Sequence, residues 1–196
     1  MAYLVTGGAR SGKSAFAEAL CARMADRGVY IATCKPHDGE MAARVALHRS
    51  GREAGSFAWE TVEEPMELAE LLRTRAAEIN RSGGRPPVLL VDCLTLWLSN
   101  RLLASEGRTD DEGTAGALDA AVEELTLAAA GYPYPLVLVT NEVGSGIVPA
   151  YPLGRRFRDE AGRLNRRMAD VCERVFLVTA GIPVELKSIA FRWEDL

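Results

Sequence analysis

The stretch Ala2-Tyr3-Leu4-Val5-Thr6-Gly7-Gly8-Ala9-Arg10-Ser11-Gly12-Lys13-Ser14 decides the fold class. Residues Ala2 to Thr6 form a short apolar, β-branched run, and glycines follow it. From Lys13 to about Asp26, Phe16, Leu20 and Met24 recur every four positions, which puts them on one helical face. The reading is strand, turn, helix. Gly7 to Ser14 also fits G-x-x-x-x-G-K-[ST], where glycines let backbone N–H groups approach phosphate oxygens closely. In such a loop Lys13 neutralises the β- and γ-phosphates, and the Ser14 hydroxyl is placed to ligate Mg²⁺. A chain of this composition would contain roughly 0.002 such matches by accident, so the stretch implies nucleoside triphosphate binding.

Further along, strand and helix signals alternate to the end. Val29 to Thr33 reads as a second strand, Glu40 to Arg49 as a short helix, and Phe57 to Val62 as a strand. Pro65 is expected to open a helix reaching about Asn80, since proline at the first helical position loses no hydrogen bond. Arg81 to Pro87 is a turn cluster. Val88 to Val91 is a continuous apolar run ending in Asp92, the pattern of a strand buried on both faces. Leu94 to Leu103 reads as helix, Glu106 to Gly113 as polar loop, and Thr114 to Ala130 as an alanine-rich helix. Leu136 to Thr140 is another buried strand, with a glycine-bearing loop from Asn141 to Pro152. An arginine-rich helix from about Gly154 to Glu173 leads to a strand over Val175 to Thr179, and a last short strand covers Val184 to Lys187. This alternation predicts an α/β fold with a mostly parallel central sheet flanked by helices.

Composition narrows the class. The chain has 196 residues, 48% hydrophobic and 26% charged, with a formal net charge of -4. That length suits one domain spanning 1–196 with a real hydrophobic core. Mild acidity leaves no electrostatic footprint for nucleic acid. No apolar run is long enough to span a bilayer, and the start of the chain has no leader pattern, so a cytoplasmic protein is expected. Cys21, Cys34, Cys93 and Cys172 are scattered without a C-x-x-C pair and read as small buried hydrophobes. Of the 23 basic residues, only Lys13, Lys35 and Lys187 are lysines.

A phosphate loop also needs an acidic residue at the end of a neighbouring buried strand to hold the hydrated Mg²⁺, and Asp92 suits that role. Glu40, Arg44 and His48 lie on one side of the short helix. They suit an ordinary solvated face or, alternatively, a nucleophilic or basic His48, because neutral imidazole is available at physiological pH. His37 is adequately explained as a turn residue. The loop from Asn141 leaves the carboxyl edge of the sheet, where ligands collect in open α/β folds. It either shapes an acceptor pocket or simply connects. Arg155, Arg156, Arg158, Arg163, Arg166 and Arg167 suit a phosphate clamp, a subunit contact or a solvated helix.

Six blocks, GGARSGKS, YIAT, EMAARVALHR, VDCLTLWLSN, VTNEVGSGIVP and FRDEAGRLNRRMAD, occur in that order over nearly the whole chain. In this the chain resembles the bifunctional adenosylcobinamide kinase/adenosylcobinamide-phosphate guanylyltransferase family. The resemblance implies a RecA-like P-loop sheet, a homotrimer and two reactions on a corrinoid. ATP or GTP first phosphorylates the aminopropanol hydroxyl, and GTP then donates GMP through a covalent GMP-histidine, releasing pyrophosphate. The family's histidine falls on His48. Its triphosphate contacts fall on Gly7, Gly8, Ala9, Arg10, Ser11, Gly12, Lys13 and Ser14, on Ala32, Thr33 and Cys34, on Arg49, Ser50, Gly51 and Arg52, and on Glu63 and Asp92. Catalysis would rest on His48 and Lys13, and Mg²⁺ on Ser14 and Asp92. Two other readings of the residues remain: a monofunctional small-molecule kinase in which His48 is structural, and a non-catalytic GTP switch.

Overall fold

The computed structural model describes residues 1–34, 55–105 and 111–192. A seven-stranded sheet runs through them in the order β3-β2-β4-β5-β1-β6-β7. Its strands are β1 (Ala2–Thr6), β2 (Arg27–Ala32), β3 (Ala58–Glu63), β4 (Val88–Asp92), β5 (Leu136–Val139), β6 (Arg174–Thr179) and β7 (Ile182–Glu185). The first six pair in parallel, and β7 pairs antiparallel to β6 as a hairpin. Among the described residues the helices are α1 (Lys13–Met24), α2 (Leu68–Ser82), α3 (Leu94–Ser105), α4 (Asp111–Ala130), α5 (Pro152–Val171) and the single turn α6 (Leu186–Ile189).

Period-two alternation along the strands sorts the core into two layers. Leu4, Ile31, Leu89, Val91, Leu136 and Leu138 face one side, where Leu72 of α2, Trp97 and Leu98 of α3, Leu125 of α4 and Leu164 of α5 cover them. Val5, Tyr30, Leu90, Val137 and Val139 face the other, against Ala17 and Cys21 of α1. Leu98 and Leu125 are fully buried, so truncating either to alanine costs about 2–5 kcal/mol. Helix α1 packs across β4 and β5 as well as β1.

Several expected boundaries move, each for a local reason. Pro65 does not open α2: the Glu64 carboxylate accepts N–H bonds from Met66 (2.9 Å) and Glu67 (2.8 Å), and the helix begins at Leu68. At α5 the proline rule does apply, but at Pro152, ahead of the expected Gly154. Helix α4 starts at Asp111, inside the expected polar loop. The last strand is Ile182–Glu185 and stops there because the Glu185 carboxylate accepts N–H bonds from Lys187 (3.1 Å) and Ser188 (2.7 Å), capping α6. The expected helix from Glu40 to Arg49 lies outside the described residues. Among the cysteines, Cys21, Cys93 and Cys172 are buried as expected, but Cys34 is half-exposed, two residues beyond the carboxyl end of β2.

Candidate active site

Strand register lines up the carboxyl ends of five strands. Ala32 of β2 pairs with Glu63 of β3 on one side and Asp92 of β4 on the other, Asp92 pairs with Val139 of β5, and Val139 pairs with Val5 of β1. Ligands of parallel sheets bind beyond this edge. The segments that leave it carry Gly7 to Gly12, Thr33 and Cys34, Cys93 and the 141–151 loop. Strand β5 separates β4 from β1, so Asp92 does not end a strand adjacent to the phosphate loop, as the sequence suggested. It lies two strands away, about 10 Å at ordinary strand spacing, and α1 packs against both strands.

The loop itself is tightly built. Gly8 O accepts the Lys13 ammonium at 3.1 Å and the Ser11 N–H at 3.3 Å. Gly181 N–H donates to Ser11 O at 2.9 Å and Glu142 N–H to Gly7 O at 3.1 Å, so the turns after β6 and β5 buttress the loop from two sides. A Cβ on Gly7 would come within 2.4 Å of Val178 O and 2.7 Å of Ser11 Oγ. Gly12 has φ 92 and lies against Gly181, where its Cβ would approach Cα to 3.2 Å. Helix α1 begins at Lys13, and its first intrahelical bond runs from Phe16 N–H to Gly12 O at 3.0 Å. The amides of Lys13, Ser14 and Ala15 thus have no helical partner and, with the helix dipole, favour an anion. Lys13 is buried, Ser14 half-buried, and Ala9 and Arg10 are exposed.

Asp92 alternates onto the α1 face of β4, the side that carries Lys13 and Ser14. Its Oδ2 accepts the Tyr30 hydroxyl at 3.0 Å, which orients the carboxylate. Tyr30 is fixed in turn by an edge contact with Trp59, ring centroids 6.1 Å apart. Burial, with the Asp92 charge second, pushes the Cys93 thiol up to about 12, while Lys13 acts weakly in the opposite direction. Both charges are therefore felt at one thiol. Among the described residues no three His, Cys, Asp or Glu side chains gather as a metal cage. One hydroxyl and one carboxylate suit Mg²⁺, which keeps water and phosphate oxygens in its shell and is rarely caged by protein.

The other expected contacts are placed as follows. The Thr33 side chain is fully buried and engaged with Cys93: its hydroxyl donates to Cys93 O at 2.7 Å and accepts from Cys93 N–H at 2.8 Å. Glu63 is exposed at the end of β3. Lys35, His37, His48, Arg49, Ser50, Gly51 and Arg52 lie outside the described residues. Four of the six arginines of α5 are engaged within the chain. Arg155 donates to Pro149 O and Ala150 O, Arg158 to Gly144 O, Arg163 pairs with Glu160 and Arg167 with Asp119. Sequence reasoning missed Tyr30 and Asn100. Asn100 Nδ2 donates to Thr33 O at 2.8 Å and Pro65 O at 3.1 Å, tying the exits of β2 and β3 together. An asparagine in the apolar LTLWLSN run was the available signal.

Residues 3–186 match the family described as cobinamide kinase / cobinamide phosphate guanyltransferase. The chain is 45% identical over 187 residues to the bifunctional adenosylcobalamin biosynthesis protein CobP of Pseudomonas aeruginosa, covering 95% of this chain and 98% of that relative. It is 43% identical over 192 residues to the bifunctional adenosylcobalamin biosynthesis protein CobU of Escherichia coli, and 42% identical over 192 residues to that of Salmonella typhimurium. In both cases 95% of this chain and the whole relative are covered.

Proposed function

The chain belongs to the cobinamide kinase / cobinamide phosphate guanyltransferase family, and we propose that both of its reactions run on the single phosphate loop between β1 and α1. In the first, the aminopropanol hydroxyl of adenosylcobinamide attacks the γ-phosphorus of ATP or GTP, the bond to the β-phosphate oxygen breaks, and the nucleoside diphosphate leaves. In the second, an imidazole nitrogen of His48 attacks the α-phosphorus of GTP and pyrophosphate leaves. An oxygen of the new corrinoid phosphate then attacks the GMP-histidine and the P–N bond breaks, giving adenosylcobinamide-GDP.

The chemistry favours a histidine relay. Direct attack of a phosphomonoester on GTP brings two anions together, whereas neutral imidazole makes the first displacement without that repulsion. Lys13 and the amides of Lys13 to Ala15 stabilise charge on whichever phosphate group departs. Ser14 and Asp92 would hold Mg²⁺, which supplies charge neutralisation on the phosphate oxygens. The resemblance extends the proposal to a homotrimer, and the composition extends it to the cytoplasm; no helix among the described residues is long and apolar enough to cross a membrane.

The observation that carries the reading is the phosphate loop of GGARSGKS in a family match covering residues 3–186. Its test is retention of label from GTP carrying ³²P at the α- or γ-position, after incubation with Mg²⁺ and denaturation. Acid-labile, alkali-stable α-label that disappears in His48→Ala is expected, with cobinamide phosphorylation largely kept in that variant. GMP transfer surviving in His48→Ala would overturn the nucleophile assignment.

A further inference from the structure

A closed circuit of hydrogen bonds sits behind the carboxyl edge of the sheet, and the proposed chemistry makes no use of it. Asn141 N–H donates to Thr95 Oγ1 at 2.7 Å, and Thr95 Oγ1 lies 3.3 Å from Thr140 Oγ1. Thr140 Oγ1 donates to Asn165 Oδ1 at 2.6 Å, and Asn165 Nδ2 donates to Asn141 O at 3.0 Å. The direction of every bond follows from chemistry. A carbonyl can only accept, so the Asn165 nitrogen must face Asn141 O and its oxygen the Thr140 hydroxyl. That hydroxyl has one proton, already directed at Asn165, so toward Thr95 it can only accept. Thr95 and Thr140 are buried, at 6% and 1% exposure.

The circuit therefore uses both backbone polar groups of Asn141, the second residue after β5. One residue on, Glu142 N–H donates to Gly7 O of the phosphate loop. Helix α5 holds the rest of the same loop, with Arg158 donating to Gly144 O at 2.7 Å and Arg155 to Ala150 O at 2.6 Å. Arg155, Arg158 and Asn165 share one side of α5 at helical spacing, so this helix fixes the loop from its first residue to its end.

We propose that Asn165 is a positioning residue: through Thr95 and Thr140 it sets the Asn141 and Glu142 backbone against Gly7, and so aligns the 141–151 loop with the phosphate loop for transfer to the acceptor. The acceptor part of this statement rests on the functional reading above; the alignment of Gly7 does not. Partly satisfied buried networks lose the benefit of the whole circuit, and misplacement by about 1 Å costs about a hundredfold in rate at worst.

The test uses the full chain with Thr140→Val, Asn165→Leu and the conservative Thr140→Ser, all measured well below their melting temperatures. Thr140→Val and Asn165→Leu should lower kcat for cobinamide phosphorylation about tenfold or more, speed amide exchange in 141–146 but not in β5, and weaken GTP binding measured without corrinoid. Thr140→Ser should restore all three. Faster exchange with unchanged kcat and GTP affinity would show a merely structural circuit and overturn the proposal, as would unchanged exchange. Should the wild-type protein fail to turn over cobinamide, the functional reading falls, and GTP affinity with amide exchange still decides the alignment of Gly7.

Discussion

Replacing Gly7 with alanine separates loop geometry from fold stability. The added Cβ would sit 2.4 Å from Val178 O and 2.7 Å from Ser11 Oγ. Restoring an ordinary carbon–oxygen contact needs an opening of about 1 Å. Val178 cannot yield readily, since it lies in β6, pairs with Pro183 of β7 and is completely buried. The phosphate loop must therefore move, taking with it the Gly7 carbonyl that receives Glu142 N–H. Overpacking of this size costs about 1–3 kcal/mol, which in a chain of this length lowers the melting temperature by about 2–12 °C. A displacement near 1 Å in a loop whose amides must meet phosphate oxygens at hydrogen-bond distance lowers turnover by up to about a hundredfold. Gly8→Ala is the control, because nothing lies within 4 Å of its added Cβ and its melting temperature should match the wild type. Thermal melting, GTP titration and cobinamide phosphorylation together decide the matter. Wild-type melting and wild-type nucleotide affinity in Gly7→Ala would refute the close-approach argument.

Three further outcomes are expected. Tyr30→Phe removes the 3.0 Å bond that orients Asp92 while keeping the ring against Trp59, so the Mg²⁺ concentration for half-maximal activity should rise about 10- to 100-fold with little change in melting, and an unchanged Mg²⁺ requirement would exclude an orienting role. Burial holds the Cys21, Cys93 and Cys172 thiols up at about 12 against a usual 9.0. Native protein at pH 8 should therefore take up a thiol reagent at Cys34 first, as mass spectrometry of the labelled peptides would reveal. The same shifts set a pH dependence: the folded state keeps these protons better than the unfolded chain, so the contribution is whole below about 9 and is lost as pH rises toward about 12. Alkaline melting curves that stay flat across that window would contradict it.

The sequence by itself determined what depends on neighbours along the chain. The apolar run before Gly7, the glycine and lysine spacing through Ser14, the buried run ending at Asp92 and the alternation of helix and strand are local patterns with local physical causes. They led to an α/β sheet and a phosphate-binding turn, and the six ordered blocks led to the family. Tertiary structure alone decided what depends on which strands pair. Strand β5 inserts between β1 and β4, and α1 packs across all three. Tyr30 reaches Asp92 across 62 positions of sequence, a contact that no periodicity encodes. The arginines of α5 showed no target in one dimension, and in the fold two of them hold the carbonyls of the 141–151 loop. The reason is the same in each case: hydrophobic period and turn chemistry act over a few residues, whereas hydrogen-bond partners at a sheet edge are chosen by strand order and register, which the whole core sets at once.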